Sequence, residues 1–189
     1  MQDWDLTEIG FETDPQDAER RATLWQNLEQ DGVTPDRSLM ALLSGLMDND
    51  LLRMQALWPG LSTTVRRELT GALQEITEAD FAVDFSAIFR IALMDSDADV
   101  RTSALEGLAE AEDVRLVPEY VRILHNDPSP EVRRAAAEGL GRFVLLGELQ
   151  RIRPVPFRRA VQALQATYTS PGETLAVRQC AVEAMAFTG

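Results

Sequence analysis

The chain has 189 residues, 45% of them hydrophobic, which suits one domain with an ample core. Its formal net charge of −13 repels phosphate backbones and anionic lipid and favours basic partners. All 18 basic residues are arginine, which fits codon usage in a GC-rich bacterial genome and excludes both a Schiff-base lysine and a phosphate-loop lysine. One cysteine, Cys180, and one histidine, His125, exclude an internal disulfide framework and leave no ordinary Cys/His zinc site. The lone cysteine fits a reducing cytoplasm. The start, Met1-Gln2-Asp3-Trp4-Asp5, lacks the positive charge and apolar run of a signal peptide. No apolar stretch approaches the ~20 residues needed to span a bilayer. A cytoplasmic protein is expected.

Residues 1–17 read as an acidic, irregular lead-in, with Trp4, Ile9 and Phe11 able to dock on the first helices. Residues 18–189 read as a single domain. Asp17 to Gln30 is a helix with Ala22, Leu24, Trp25 and Leu28 as its apolar residues, ended by Asp31-Gly32. Thr34 as cap and Pro35 at the first position start the next helix, with Leu39, Leu42, Leu43 and Met47 inward. Asn49 to Trp58 is a helix broken by Pro59-Gly60. Ser62 caps its partner, which runs to about Glu78 with Val65, Leu69, Leu73 and Ile76 inward.

From about residue 81 the helices pair regularly: Phe85–Met94 with Ala98–Glu110, Val114–Asn126 with Pro130–Phe143, and Pro156–Tyr168 with Leu175–Phe187. Between the last two pairs, Val144 to Pro154 reads as an insertion or extended corner. The closing helix stays apolar, with Val182, Met185 and Phe187. A solenoid normally ends on a more polar cap, so the expectation is either that another chain covers this end, self-association through the C-terminal repeat being one form of that, or that the natural protein is longer.

The clearest unit is Asp127-Pro128-Ser129-Pro130-Glu131-Val132-Arg133. Ser129 can cap the first turn, Pro130 takes the first helical position, and Glu131 lies near the positive end of the helix dipole. Val132, Ala136, Leu140 and Phe143 then share one face. Asp97 to Arg101 with Ala104 and Leu108, and Thr174 to Arg178 with Ala181 and Met185, repeat the pattern. In each, a cap precedes Val-Arg, alanine follows four after the valine, and a large apolar residue eight after it. The valines are 32 and 45 residues apart, periods that indicate stacked helix pairs.

This Val-Arg-x-x-Ala pattern after an acidic or proline-containing turn resembles HEAT repeats, well from about Phe81 onward and more loosely before it. The resemblance implies an all-α, right-handed α-solenoid of stacked antiparallel helix pairs. It also implies a structural ladder in which Arg101, Arg133 and Arg178 bond the turn acid of a neighbouring repeat, with Asp95 and Asp127 as partners. Pro171-Gly172-Glu173 stands where the third turn lacks that aspartate, so the ladder is expected to weaken there.

Glu106, Glu138 and Glu183 each fall six residues after the repeat valine, off the core and toward the concave side in HEAT-like stacks. With Arg134 beside them they are the candidate partner-binding residues, a stripe suited to a basic peptide or arginine-rich surface. Asp95, Asp97, Asp99 and Glu106 take positions one, three, five and twelve of a calcium loop. Val100 stands where that loop needs glycine, so the acidic run is turn and cap chemistry. Arg151, Arg153, Arg158 and Arg159 form a basic cluster with only Phe157 interleaved, which does not suit nucleic-acid contact. Cys180 sits beside core Ala181 as a packing residue, far in repeat position from His125.

No nucleophile–base set, glycine-rich phosphate loop or metal spacing appears, so no catalytic residue, metal or cofactor is expected. The expected function is a non-catalytic scaffold or adaptor binding a basic protein partner, without nucleic acid or membrane. The alternative is an enzyme on the same scaffold, a HEAT-like lyase of the bilin-lyase type or an enzyme accessory subunit. A glycosylase would need a basic groove, and a HEAT-like di-iron hydroxylase repeated His-Glu pairs.

Overall fold

The computed structural model describes residues 15–30 and 33–186, and among these it contains ten α-helices and no strand. They are α1 (Pro15–Glu29), α2 (Arg37–Met40), α3 (Asp48–Leu57), α4 (Thr63–Ala79), α5 (Ser86–Ala92), α6 (Ala98–Gly107), α7 (Val117–Asn126), α8 (Pro130–Glu148), α9 (Pro154–Thr169) and α10 (Leu175–Ala184). Short 3-10 turns extend α2, follow α3 and precede α7. Helices α4, α6, α8 and α10 pack on one another in that order as one layer. Their companions form a second layer in which α3 touches α5 and α7 touches α9. The result is an all-α solenoid. No helix among the described residues is long and apolar enough to cross a membrane.

One local device starts each helix of the first layer. The side chains of Ser62, Asp97, Ser129 and Thr174 accept from the backbone N–H of Val65, Val100, Val132 and Val177 respectively. The cap thus closes on a valine three residues later, and each of these valines is buried. Leu69, Ala104, Ala136 and Ala181, four residues further on, are buried on the same face. Burying each valine contributes about 1.5–3 kcal/mol, so the cap fixes the helix start and the valine anchors it.

Two glycines set how closely the layers approach. A Cβ at Gly107 would lie 2.3 Å from the Phe89 ring of α5, and one at Gly139 would lie 2.5 Å from the Tyr120 ring of α7. Both glycines fall seven residues after the repeat valine, so an aromatic ring from the first helix rests on the bare backbone of the second.

The structure corrects several expectations. Helix α1 begins at Pro15, inside the stretch read as lead-in, while Trp4, Ile9 and Phe11 lie outside the described residues. Ala22 is exposed; Leu24, Trp25 and Leu28 carry the core contact. Thr34 and Pro35 do not start α2. Asp36 does, because its carboxylate accepts from the Ser38 and Leu39 N–H groups. Met47 is 71% exposed, having left the helix for the extended position before α3. The stretch read as a corner from Val144 is helix as far as Glu148, with Val144 and Leu146 buried. Helix α8 ends at a left-handed Gln150 (φ 58°), where the Gln150 N–H reaches the Gly147 carbonyl and the Arg151 N–H the Leu146 carbonyl. The 45-residue interval therefore holds longer helices. Phe187 lies outside the described residues.

Candidate partner-binding groove

The arginine after each repeat valine ties one turn to the next. Arg101 presents Nε and one terminal nitrogen to both oxygens of Asp127, at 2.7 and 2.8 Å, with both side chains over 90% buried. Its other terminal nitrogen donates to the Asp95 carbonyl at 2.8 Å. Arg133 repeats the arrangement: two 2.8 Å bonds to Glu173 and one of 2.7 Å to the Asp127 carbonyl. Such paired, charge-assisted bonds fix orientation as well as distance. The acids also brace their own turns, since Asp127 accepts from the Ser129 N–H and Glu173 from the Thr174 N–H. The Arg133 guanidinium holds the Glu173 carboxyl below its ordinary range.

Three members of this set differ from the sequence reading. Arg66, absent from the expected ladder, lies 2.8 Å from the Asp95 carboxylate, which also accepts from the Trp58 indole N–H at 2.7 Å. Its signal was the Val65-Arg66 pair, which matches the repeat motif. Glu173 takes the acid's place one residue closer to its valine than Asp127 does, and its longer side chain makes up the distance. Arg178, expected as a rung, donates to the Tyr168 carbonyl at 2.9 Å and meets no carboxylate among the described residues.

The ladder holds the first-layer helices side by side, and their free surfaces line one open groove of about 930 Å³. Glu106, Glu138, Glu183 and Arg134 all lie in it. The sequence reading missed Glu78, Glu110 and Arg142, which also line it, from the C-terminal end of α4, the turn after α6 and the middle of α8. Five carboxylates thus face two guanidinium groups. Arg134 is engaged by Glu138 at 2.9 Å, and Arg142 by Glu110 at 3.2 Å and Glu112 at 2.9 Å. Glu106 and Glu183 are exposed and make no ion pair among the described residues.

Cys180 lies in the groove floor and donates to the Arg134 carbonyl at 3.4 Å. Burial, then the negative charge of Glu138 and Glu183, pushes its thiol up to about 11, so it is neutral at ordinary pH. His125 borders a small cleft between α7 and α9 with Glu173, away from the groove. Three of the four acids of the calcium-like spacing are spent on structure, and Glu106 lies in the groove. Asp95 meets Arg66 and Trp58, Asp97 caps α6 and pairs with Arg67, and Asp99 pairs with Arg67. In the basic cluster, Arg151 is paired to Glu112, while Arg153, Arg158 and Arg159 are exposed.

A search of curated proteins finds no match. The family model for HEAT repeats matches residues 85–186, more than half of the chain and the stretch that holds three of the four capped valines and the Arg101 and Arg133 rungs. The chain belongs to the HEAT-repeat family.

Proposed function

We propose that the chain is a non-catalytic adaptor whose groove binds a basic segment of a partner protein. The observation that carries this is the excess of carboxylates over guanidinium groups along one rigid, open surface. HEAT repeats generally mediate protein–protein interaction. Glu106, Glu138 and Glu183 are one-per-repeat contacts on it, and Arg134 orients Glu138. A guanidinium or ammonium entering the groove meets carboxylates in a concave, partly desolvated setting, which raises attraction above that of a flat acidic surface. The overall charge of −13 favours such a partner over nucleic acid or anionic lipid, and a cytoplasmic location fits the same reading.

The test is fluorescence anisotropy with a labelled oligo-arginine peptide at low and moderate salt. Replacing Glu106, Glu138 and Glu183 together by Gln should weaken binding about tenfold or more, equivalent to ~1.4 kcal/mol. Replacing Glu19, Glu75 and Glu148, which lie outside the groove, removes the same formal charge and should change affinity less than about threefold. Equal weakening by both triple variants would reduce the effect to bulk acidity and overturn the reading. A chromophore co-purifying with the chain would overturn it in favour of a lyase.

A further inference from the structure

Three arginines without a carboxylate gather at the start of one helix. Most arginines elsewhere are paired, from Arg20 with Asp17 on α1 to Arg151 with Glu112 in the turn before α9. Arg153, Arg158 and Arg159 meet no carboxylate among the described residues, and all three are exposed. The chain holds 31 acidic residues, yet residues 149–172 contain none. Val155, Arg158, Arg159 and Gln162 fall at steps of three, one and three along α9 and are all exposed, so they share one outward face. Val155 is 67% exposed. Arg153 stands at the start of the same helix, which has no side-chain cap and no acid in its first turn. A helix start favours negative charge, so the arginine there does not serve the helix.

This face belongs to the outside of the stack and not to its end. The buried Ala160, Ala163 and Leu164 of α9 match, in spacing, the buried Tyr120, Ile123 and Leu124 of α7. On that match Val155, Arg158 and Gln162 correspond to Arg115, Pro118 and Arg122, which are exposed although α9 packs beside α7. A helix pair on the far side of α9 would therefore leave these positions open. Arg159 takes the place of Glu119, which on α7 pairs with Arg122. The outer face thus changes sign between two adjacent helices.

We propose that the outer face of α9 is a second docking surface, and that it takes an acidic segment of a partner protein that also carries an apolar residue. The carboxylates of that segment pair with Arg153, Arg158 and Arg159, and its apolar residue covers Val155. Charge complementarity selects this occupant, because the three guanidinium groups have no counter-charge among the described residues. A nucleic-acid backbone or an anionic bilayer presents negative charge well beyond three arginines. It would run onto Glu119 of the neighbouring helix and onto a chain of net charge −13. A short acidic segment ends where the arginines end. No residue of α9 lines the groove, so the two surfaces are separate, of opposite sign, and this one does not depend on what the groove binds.

The test is fluorescence anisotropy of the full chain with a labelled glutamate-rich peptide carrying one leucine, at low and moderate salt. Replacing Arg153, Arg158 and Arg159 together by Gln should weaken binding at least about tenfold. Replacing Arg20, Arg37 and Arg53, surface residues of the first helices, removes the same formal charge and should change affinity less than about threefold. Val155→Asp should also weaken binding about tenfold, by setting a like charge against the peptide. That aspartate falls in the first turn of α9, where the dipole favours it, so a weakened helix would not account for the loss. Unchanged circular dichroism checks the point. Absence of saturable binding, or equal weakening by both triple variants, overturns the proposal. So does tighter binding of a single-stranded oligonucleotide, or of phosphatidylglycerol vesicles, through the same three arginines, which would assign the face to phosphate.

Discussion

The region from residue 85 onward and the region before it use the same residue types and hold themselves together differently. In the later region, arginines meet turn acids in enclosed sites: Arg101 with Asp127 and Arg133 with Glu173. In the earlier region, the cross-helix pairs are at the surface: Arg21 with Asp50, Arg37 with Glu75, Arg53 with Glu29. The earlier helices are also less uniform, with α2 a single turn and 3-10 segments after α2 and α3. An enclosed rung needs an acid in the turn before a capped valine, within reach of the preceding repeat's arginine, so it holds neighbouring repeats in one orientation. Surface pairs tolerate any geometry and enforce none. Arg66, Asp95 and Trp58 form the seam where the regular arrangement reaches back to the irregular one.

The largest effects should separate these two classes of ion pair. Arg101→Ala would leave the Asp127 carboxylate enclosed without its cation and the Asp95 carbonyl without its donor. A loss of about 3–5 kcal/mol in urea unfolding is expected, the scale for breaking one side of a buried pair. Arg21→Ala breaks a pair whose members are 42% and 38% exposed at 3.1 Å, and should cost less than about 1 kcal/mol. Equal losses from the two would remove the distinction between the regions.

Much of this contrast was legible in the sequence because the later region is written in short-range rules. Cap, valine, arginine and alanine stand at fixed offsets, and each offset has a local cause: a cap that reaches the third N–H, a face that returns every three to four residues. The irregular region was legible only as helices. Thr34-Pro35 has the same local chemistry as Ser129-Pro130, yet Asp36 outcompetes it by reaching two N–H groups. The end of α8 depended on a left-handed Gln150, a conformation that residue type does not announce. Within the groove, Glu106, Glu138 and Glu183 were found because they share a repeat position. Glu110 falls ten residues after its repeat valine, the position Arg142 holds in the next repeat, while Glu78 near the end of α4 shares no position with the others. Glu173 was read as a missing rung because the expectation was tied to aspartate; the longer carboxylate arm fills it.

A second contrast lies in the glycines. Gly139→Ala would drive a methyl into the Tyr120 ring, at a site where an aromatic of the facing helix is itself fully enclosed. The net expectation is a loss of about 1–3 kcal/mol, because overpacking exceeds the gain in helix propensity. Gly71 sits in α4 with open space where its Cβ would be, so Gly71→Ala should gain about 0.5–1 kcal/mol. Opposite signs for the same substitution, read as shifts in urea midpoint, would show that close approach of the two layers belongs to the regular pairs. A gain at both positions would mean that Tyr120 can move aside, and that the glycines do not set the spacing.

The smallest effect is a pH dependence confined to one rung. Bonding to Arg133, together with the Thr174 N–H, lowers the Glu173 carboxyl below its ordinary value of 4.5 in the folded chain. A depressed folded value means that the unfolded chain takes up the proton first as acid is added. The stabilisation is therefore complete above pH 4.5 and falls away as pH drops below it, through the folded value. Glu173→Gln removes that titration. Urea midpoints of parent and variant should differ at neutral pH and converge on acidification below 4.5. Because Glu173 is the longer acid standing where the other rungs carry aspartate, this also tests whether its bonds to Arg133 are as strong as their geometry indicates. A gap that stays constant with pH would assign its contribution to packing of the side chain, and would leave the rung at Asp127 as the last one that holds by charge.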